Sequence, residues 1–227
     1  VGMVEAETGS LPGEAERTDI LRFTKGKYLR SAVGAAADSL GALAGITLTD
    51  AVGPWTVAAS HELAARLDGL QYMLREGPYF AAVSTGRIVV CDDLVTDPGW
   101  PEFTPRATDN GITAALSVPF GEPDNPGVLN LYCQQPSRLR ADAERLATAL
   151  AAQLAVVVTL ARHSANLAVA LESRDLIGQA KGIIMERHKV DAERAFAVLA
   201  RLSQERNTKL REVAGEIVRT GETGDLR

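Results

Sequence analysis

Residues Arg174–Gly221, RDLIGQAKGIIMERHKVDAERAFAVLARLSQERNTKLREVAGEIVRTG, read as three short amphipathic helices with little chain left for loops. Leu176, Ile177, Ala180, Ile183 and Ile184 recur at helical spacing, which gives the first helix one apolar face. Asp191 stands at the expected N-cap of the second helix, three residues before Arg194 and ahead of the apolar row Ala195, Phe196, Leu199 and Leu202. Asn207 or Thr208 can cap a third helix whose core face is Leu210, Val213, Ala214 and Ile217, and Gly221 is its stop signal. A module of about 50 residues has a marginal core. It needs the helix that feeds it, or a second copy.

The outer surface of this stretch is sparing with charge. From Leu171 to Arg227 there are 11 Lys and Arg against 10 Asp and Glu, while the rest of the chain carries 13 against 19, for a total of −5. A near-neutral module on an acidic chain is not a general polyanion binder. Any nucleic acid it takes must be held by a few placed side chains.

The run Arg174-x-x-Ile177-x-Gln179-Ala180-Lys181-Gly182-Ile183-Ile184-Met185, then Glu193-x-Ala195-Phe196-x-x-Leu199, then Asn207-x-Lys209-Leu210-x-x-Val213-Ala214 closely resembles the ANTAR domain. The resemblance implies a three-helix RNA-binding module of a bacterial antitermination regulator, which recognises paired stem-loops in nascent transcripts. The residues singled out for RNA are Arg174, Gln179, Lys181, Gly182, Asn207 and Lys209. Lys181 suits a phosphate or a base edge. Gly182 costs about 1 kcal/mol against Ala in a helix interior, which either close approach of an RNA backbone or tight helix packing would justify. Asn207 suits an adenine edge or the N-cap of the last helix.

Ahead of this module the texture changes. Short strand-like runs, Ile46–Leu48, Trp55–Ala59, Ile88–Cys91, Ala115–Phe120 and Val128–Tyr132, alternate with turn signals such as Val52-Gly53-Pro54, Asp97-Pro98-Gly99 and Asp124-Asn125-Pro126-Gly127. Helical patterns cover Thr18–Leu40, Glu62–Arg75 and Phe103–Asp109. Strands mixed with segregated helices predict an α+β fold with a mostly antiparallel sheet and flanking helices. The order of pieces resembles a GAF domain, a small-molecule sensory module. The likeness rests on Ala44-Gly45-Ile46-Thr47-Leu48, Leu70-Gln71 with Glu76-Gly77-Pro78, Asp92-Asp93-Leu94 before Trp100-Pro101, Gly111 leading into Leu116-Ser117-Val118-Pro119, and Gly127–Tyr132. It departs at Tyr79-Phe80, where such regulators often have Cys and Leu after Gly-Pro, so redox or ligand behaviour of cysteine-bearing relatives does not carry over. The Glu76–Phe80 segment and the loops around Trp100 are the expected lining of any ligand cavity.

Between these parts a long helix is expected from Asp142 to His188. Leu146, Leu150, Val157, Leu160, Leu167 and Leu171, with Gln153 and Ser164 at the skipped positions, hold a heptad register that predicts a coiled-coil homodimer. The chain then divides into an N-terminus at 1–17 without periodicity, a GAF-like sensor at 18–140, a connecting helix at 141–173, an ANTAR-like module at 174–221 and a tail at 222–227.

Other classes find little support. Cys91 and Cys133 form no CxxC and have no histidine cluster nearby, so neither a disulfide framework nor zinc is expected. Asp92-Asp93 looks like a carboxylate dyad but stands at a strand end, where turn-forming aspartates are common. No phosphate loop or nucleophile elbow occurs, so no cofactor and no catalysis is expected. The start lacks the order of a signal peptide, and the apolar run Leu146–Ala161 is shorter than the roughly 20 residues of a membrane span. A cytoplasmic regulator is the expectation, with a small-molecule or protein input. The competing reading is a ligand-binding or scaffold dimer whose C-terminal helices bind a protein partner.

Overall fold

The computed structural model describes residue 17 and residues 27–97, 99–135 and 141–223. The N-terminal segment other than Arg17, the start of the expected first helix with Ile20, Leu21 and Phe23, Pro98, and the last four residues lie outside them. The chain divides into two compact units, Val1–His163 and Ser164–Arg227.

The first unit is built on a five-stranded antiparallel sheet in the order β2-β1-β5-β4-β3. The strands are β1 (Leu43–Thr49), β2 (Pro54–Ala59), β3 (Val89–Cys91), β4 (Ala114–Glu122) and β5 (Asn125–Cys133). The helices are α1 (Lys27–Leu40), α2 (Glu62–Leu74), α3 (Pro78–Thr85), α4 (Phe103–Asp109) and the first part of α5 (Ala141–His188). All five strands lie where the alternation places them.

Strand side chains alternate between faces, and both faces are covered. On one, Ala44, Ile46, Leu48, Leu116, Val118, Leu129 and Leu131 meet Leu29, Val33 and Ala36 of α1 and Ala147, Ala151, Leu154, Val158 and Ala161 of α5. On the other, Ala115 and Tyr132 pack with Ala64 and Leu67 of α2 and Phe103 and Ala107 of α4, while Val128 packs with Tyr79 and Ala82 of α3. Small residues on α5 let its backbone come close to the sheet.

Three local features differ from the sequence reading. α3 was not expected: Pro78 at its first turn and Gly86 in the left-handed C-cap are its signals, in a segment that reads as a turn. The β4–β5 connection is only Pro123-Asp124, because Asn125, Pro126 and Gly127 already pair within β5. Gly127 therefore serves packing: a Cβ there would lie 2.3 Å from the Phe120 ring. In α5, a window of mean hydropathy 1.6 within Asp142–His188 is long and apolar enough to cross a membrane by length and composition alone. The expected run was shorter because it stopped at Ala161, whereas the helix continues. Part of its apolar content is spent on the sheet, through the five residues named above.

The second unit joins the end of α5 to α6 (Ala192–Arg206) and α7 (Leu210–Thr220). Ala180, Ile184, Ala195, Leu199, Leu202, Val213, Ala214 and Ile217 form its buried core. The Asp191 carboxylate accepts the Arg194 N–H at 2.8 Å, as an N-cap should. Phe196 departs from the expected core row and is 44% exposed, since it lies about 100° round the helix from Ala195. Asn207 is not the N-cap of α7. It is the left-handed C-cap of α6, with φ 48°, and Lys209 takes the N-cap position without a side-chain bond. Gly221 ends α7 in the left-handed region, and its carbonyl accepts from Arg187.

Candidate functional site

Two regions carry placed polar chemistry, one in each unit.

In the second unit the three apolar faces turn inward and leave a defined set of cations outside. Arg187 donates to Gly221, Lys189 pairs with Glu186, Arg201 with Glu205, and Arg206 with Glu216. Among the described residues, Arg174, Lys181, Arg194, Lys209, Arg211 and Arg219 have no such partner. Arg174, Gln179, Gly182, Asn207 and Lys209 are exposed, and Lys181 is half-buried.

At about 100° per residue, α5 gathers Arg174, Gly178 and Lys181 on one side of the core face and sets Gly182 opposite the core. Gln179 falls on the other side, with Glu172, Asp175 and Glu186. No atom lies within 4 Å of the place a Cβ would take at Gly178 or Gly182. Among the described residues, tight helix packing within the unit is therefore not the reason for Gly182. Asn207 and Lys209 stand together in the α6–α7 connection, where the Ser203 hydroxyl donates to the Thr208 carbonyl at 2.6 Å and holds its shape.

The first unit has a polar interior on the α2–α3 side of the sheet. Asp68 on α2 is fully buried. It accepts from Tyr132 OH at 2.5 Å, Asn130 Nδ2 at 3.0 Å and Thr56 Oγ1 at 3.0 Å. Ser117 donates to Asn130 Oδ1 at 2.7 Å, and Asn130 also reaches Thr47 at 3.1 Å. Tyr72 OH lies 2.6 Å from Thr47 Oγ1 and 2.9 Å from Thr56 Oγ1. Gly45 makes room for Asp68, since a Cβ there would lie 2.4 Å from its Oδ2.

Burial pushes the Asp68 carboxyl up to about 6, against the pull of its three donors. Burial first, and the Asp68 charge second, raise the hydroxyls of Tyr72 and Tyr132, which stay protonated. Nothing in the sequence marked Asp68. Its place on the helix face that carries Ala64 and Leu67, one turn before the polar Gln71, is the signal that could have found it.

The expected cavity lining is packed. Tyr79 is 2% exposed, its OH lies 2.8 Å from Thr49 Oγ1, and its ring meets Tyr72 and Phe80 edge-on. Glu76 accepts the N–H groups of Glu102 and Phe103 at 2.8 and 2.9 Å, which closes this segment onto the start of α4. Trp100 is half-buried in the α2–α4 core, and Trp55 stacks under the Arg17 guanidinium at 5.2 Å. An open groove of about 540 Å³ lies elsewhere in this unit, lined by residues including Asp38, Ser60, His61, Tyr132 and Gln134.

Other titratable groups make structural contacts. His61 caps α2 by accepting the Leu63 N–H, and His188 Nε2 lies 2.5 Å from Thr223 Oγ1. Asp93 holds a turn by accepting the Val95 N–H. Burial and the neighbouring Asp97 push the Cys91 thiol up to about 12, so it stays protonated and unreactive.

The chain thus joins a sheet with helices on both faces to a three-helix unit with an exposed cationic set. A family model described as GAF domain matches residues 27–159, and another described as ANTAR domain matches residues 165–218. The chain belongs to the GAF domain family and carries a C-terminal ANTAR domain. Both are regulatory domain classes. No curated protein matches the chain.

Among solved structures, the GAF domain region of a Geobacter sulfurreducens protein is similar at TM-score 0.53 and 18% identity, covering 63% of this chain and 97% of that one. The GAF domain/HD domain protein from Geobacter sulfurreducens gives 0.51 and 10%, covering 63% and 97%. The GAF domain of a phosphoenolpyruvate-protein phosphotransferase from Coxiella burnetii gives 0.50 and 18%, covering 66% and 98%. At these identities the likeness is one of fold.

Proposed function

We propose that this chain is an RNA-binding transcription antitermination regulator, in which the GAF domain controls an ANTAR module that binds paired hairpin loops in nascent mRNA. The observation that carries the reading is the uncommitted cationic set of the second unit. Arg174 and Lys181 share one side of α5 beside the bare backbone of Gly178 and Gly182, and Lys209 stands exposed with Asn207 before α7. A protein spending its cations on folding would pair them, as Arg206 and Lys189 are paired. Few cations on a near-neutral module suit an unpaired loop, whose splayed bases expose hydrogen-bonding edges, better than a uniform duplex. Binding holds the stem-loop against a competing terminator, and transcription continues.

Lys181→Ala tests this on the full chain with a two-hairpin RNA and a scrambled control. A base contact predicts a loss of about 1–3 kcal/mol confined to the hairpin, whereas a phosphate contact predicts a salt slope shallower by about one. Unchanged affinity at low and high salt, with circular dichroism intact, rejects the assignment. A second reading, a scaffold dimer that docks a protein, is favoured by the exposed Phe196. Equal affinity for the hairpin and the scrambled RNA would select it.

A further inference from the structure

In the first unit, α5 is fastened to the sheet at a polar point. Arg162 donates to the Asn125 carbonyl at 2.8 Å and to the Thr49 carbonyl at 3.2 Å. The register explains why the second carbonyl is available. β1 and β5 pair as far as Leu48 and Gly127. One step further would set Thr49 opposite Pro126, which has no N–H to give. Arg162 supplies the donor that the ladder lacks.

Thr49 also faces the other layer. Its hydroxyl lies 2.8 Å from Tyr79 OH. The Tyr79 N–H donates to Gln71 Oε1 at 2.8 Å, Gln71 Nε2 donates to Tyr132 OH at 2.7 Å, and Tyr132 OH donates to Asp68 at 2.5 Å. Thr49 is thus bonded both to the polar interior under α3 and to the helix that leaves the sensor. Its side chain serves the first contact and its carbonyl the second.

We propose that Thr49 couples the polar interior of the sensor to α5: Tyr79 fixes the end of β1, and the end of β1 fixes Arg162. A change that shifts α3 or reorders the Asp68 network moves Tyr79, turns the Thr49 carbonyl away from the guanidinium and loosens α5 at the point where it leaves the sheet. The Arg17–Asp50 pair holds the next residue of the same turn, at 2.5 Å. The effect is therefore a re-aimed carbonyl rather than an unravelled strand. The coupling is internal to the first unit and independent of what the second unit binds. Contiguous bonding makes a pathway physical, and only measured coupling makes it real.

The test is amide hydrogen exchange on the full chain, reading α5 at residues 155–163 against β5 in the same sample. Thr49→Val keeps the strand shape and the carbonyl and removes only the hydroxyl. It should speed exchange in 155–163 by about fivefold relative to β5, and Tyr79→Phe should do the same from the other end. Neither should add to the effect of Arg162→Met, since all three cut one chain of contacts. Thr96→Val, which removes an exposed hydroxyl that bonds only within its own turn and lies outside the Asp68 network, should leave 155–163 unchanged. If Thr49→Val and Tyr79→Phe stay within about twofold of wild type while Arg162→Met does not, Arg162 is a fastening and no coupling exists. Parallel acceleration of 155–163 and β5 in every variant would overturn the proposal as well.

Discussion

Asp68 is costly to bury. It is a buried carboxylate with three hydrogen-bond donors and, among the described residues, no cation. Its carboxyl titrates at about 6 in the folded chain against an ordinary 3.8. Below about pH 4 the acid is neutral in both states and burial carries no charge penalty. Between about 4 and 6 the unfolded chain releases the proton first, so stability falls as pH rises, and above that range the loss is complete. The difference is on the order of 3 kcal/mol. Asp68→Asn should therefore lose stability against wild type at pH 4 and recover that much by pH 7, read by denaturation of both chains across the range. A stability difference that does not change with pH would show that burial does not shift the Asp68 carboxyl from its value in the unfolded chain.

Elements here are closed by single side chains. Asp191 caps α6 by accepting the Arg194 N–H, and Asp191→Ala should cost about 1 kcal/mol. That cost appears as roughly fivefold faster exchange in the first turn of α6, with the sheet unaffected. Equal rates would mean that the α5–α6 turn, with Lys189 in the left-handed region at φ 52°, holds the helix start by itself. The helices were legible because their caps and apolar rows are local. α3 was not, because it has eight residues, and its buried Tyr79 and Ala82 share no long period. Asn207 was misread for a related reason. An asparagine suits either helix end, and only the observed φ of 48° assigns it to the end of α6.

Across the whole chain, α5 carries two apolar stripes. Ala147, Ala151, Leu154, Val158 and Ala161 meet the sheet, while Leu160, Leu167 and Leu171 remain 57%, 64% and 58% exposed. Leu146 is exposed too, and Leu150 and Val157 are half-buried against the sheet-side core. Leucines exposed at seam spacing along one helix are what a parallel pair of copies would cover. Two copies would also present two RNA sites, with affinity raised by effective concentration. Replacing Leu160 and Leu167 by Glu should convert a dimer to a monomer in light scattering and leave the sheet unit folded, since neither side chain is in its core. A wild-type chain that is monomeric at micromolar concentration would reject a constitutive dimer.

By itself the sequence determined the parts that depend on period and order. These are the five strands, the three C-terminal helices with their Asp191 and Gly221 caps, and the succession of an α+β domain and a helical module. Tertiary structure decided which residues meet across that order. Asp68, Thr56, Asn130 and Tyr132 lie up to 76 residues apart in the chain and form one buried network only because β1, β2 and β5 run side by side under α2. Thr49 and Arg162 meet because Pro126 leaves a carbonyl open in the ladder. Periodicity reports which face of an element is apolar. It carries no information about which distant polar group that face will enclose.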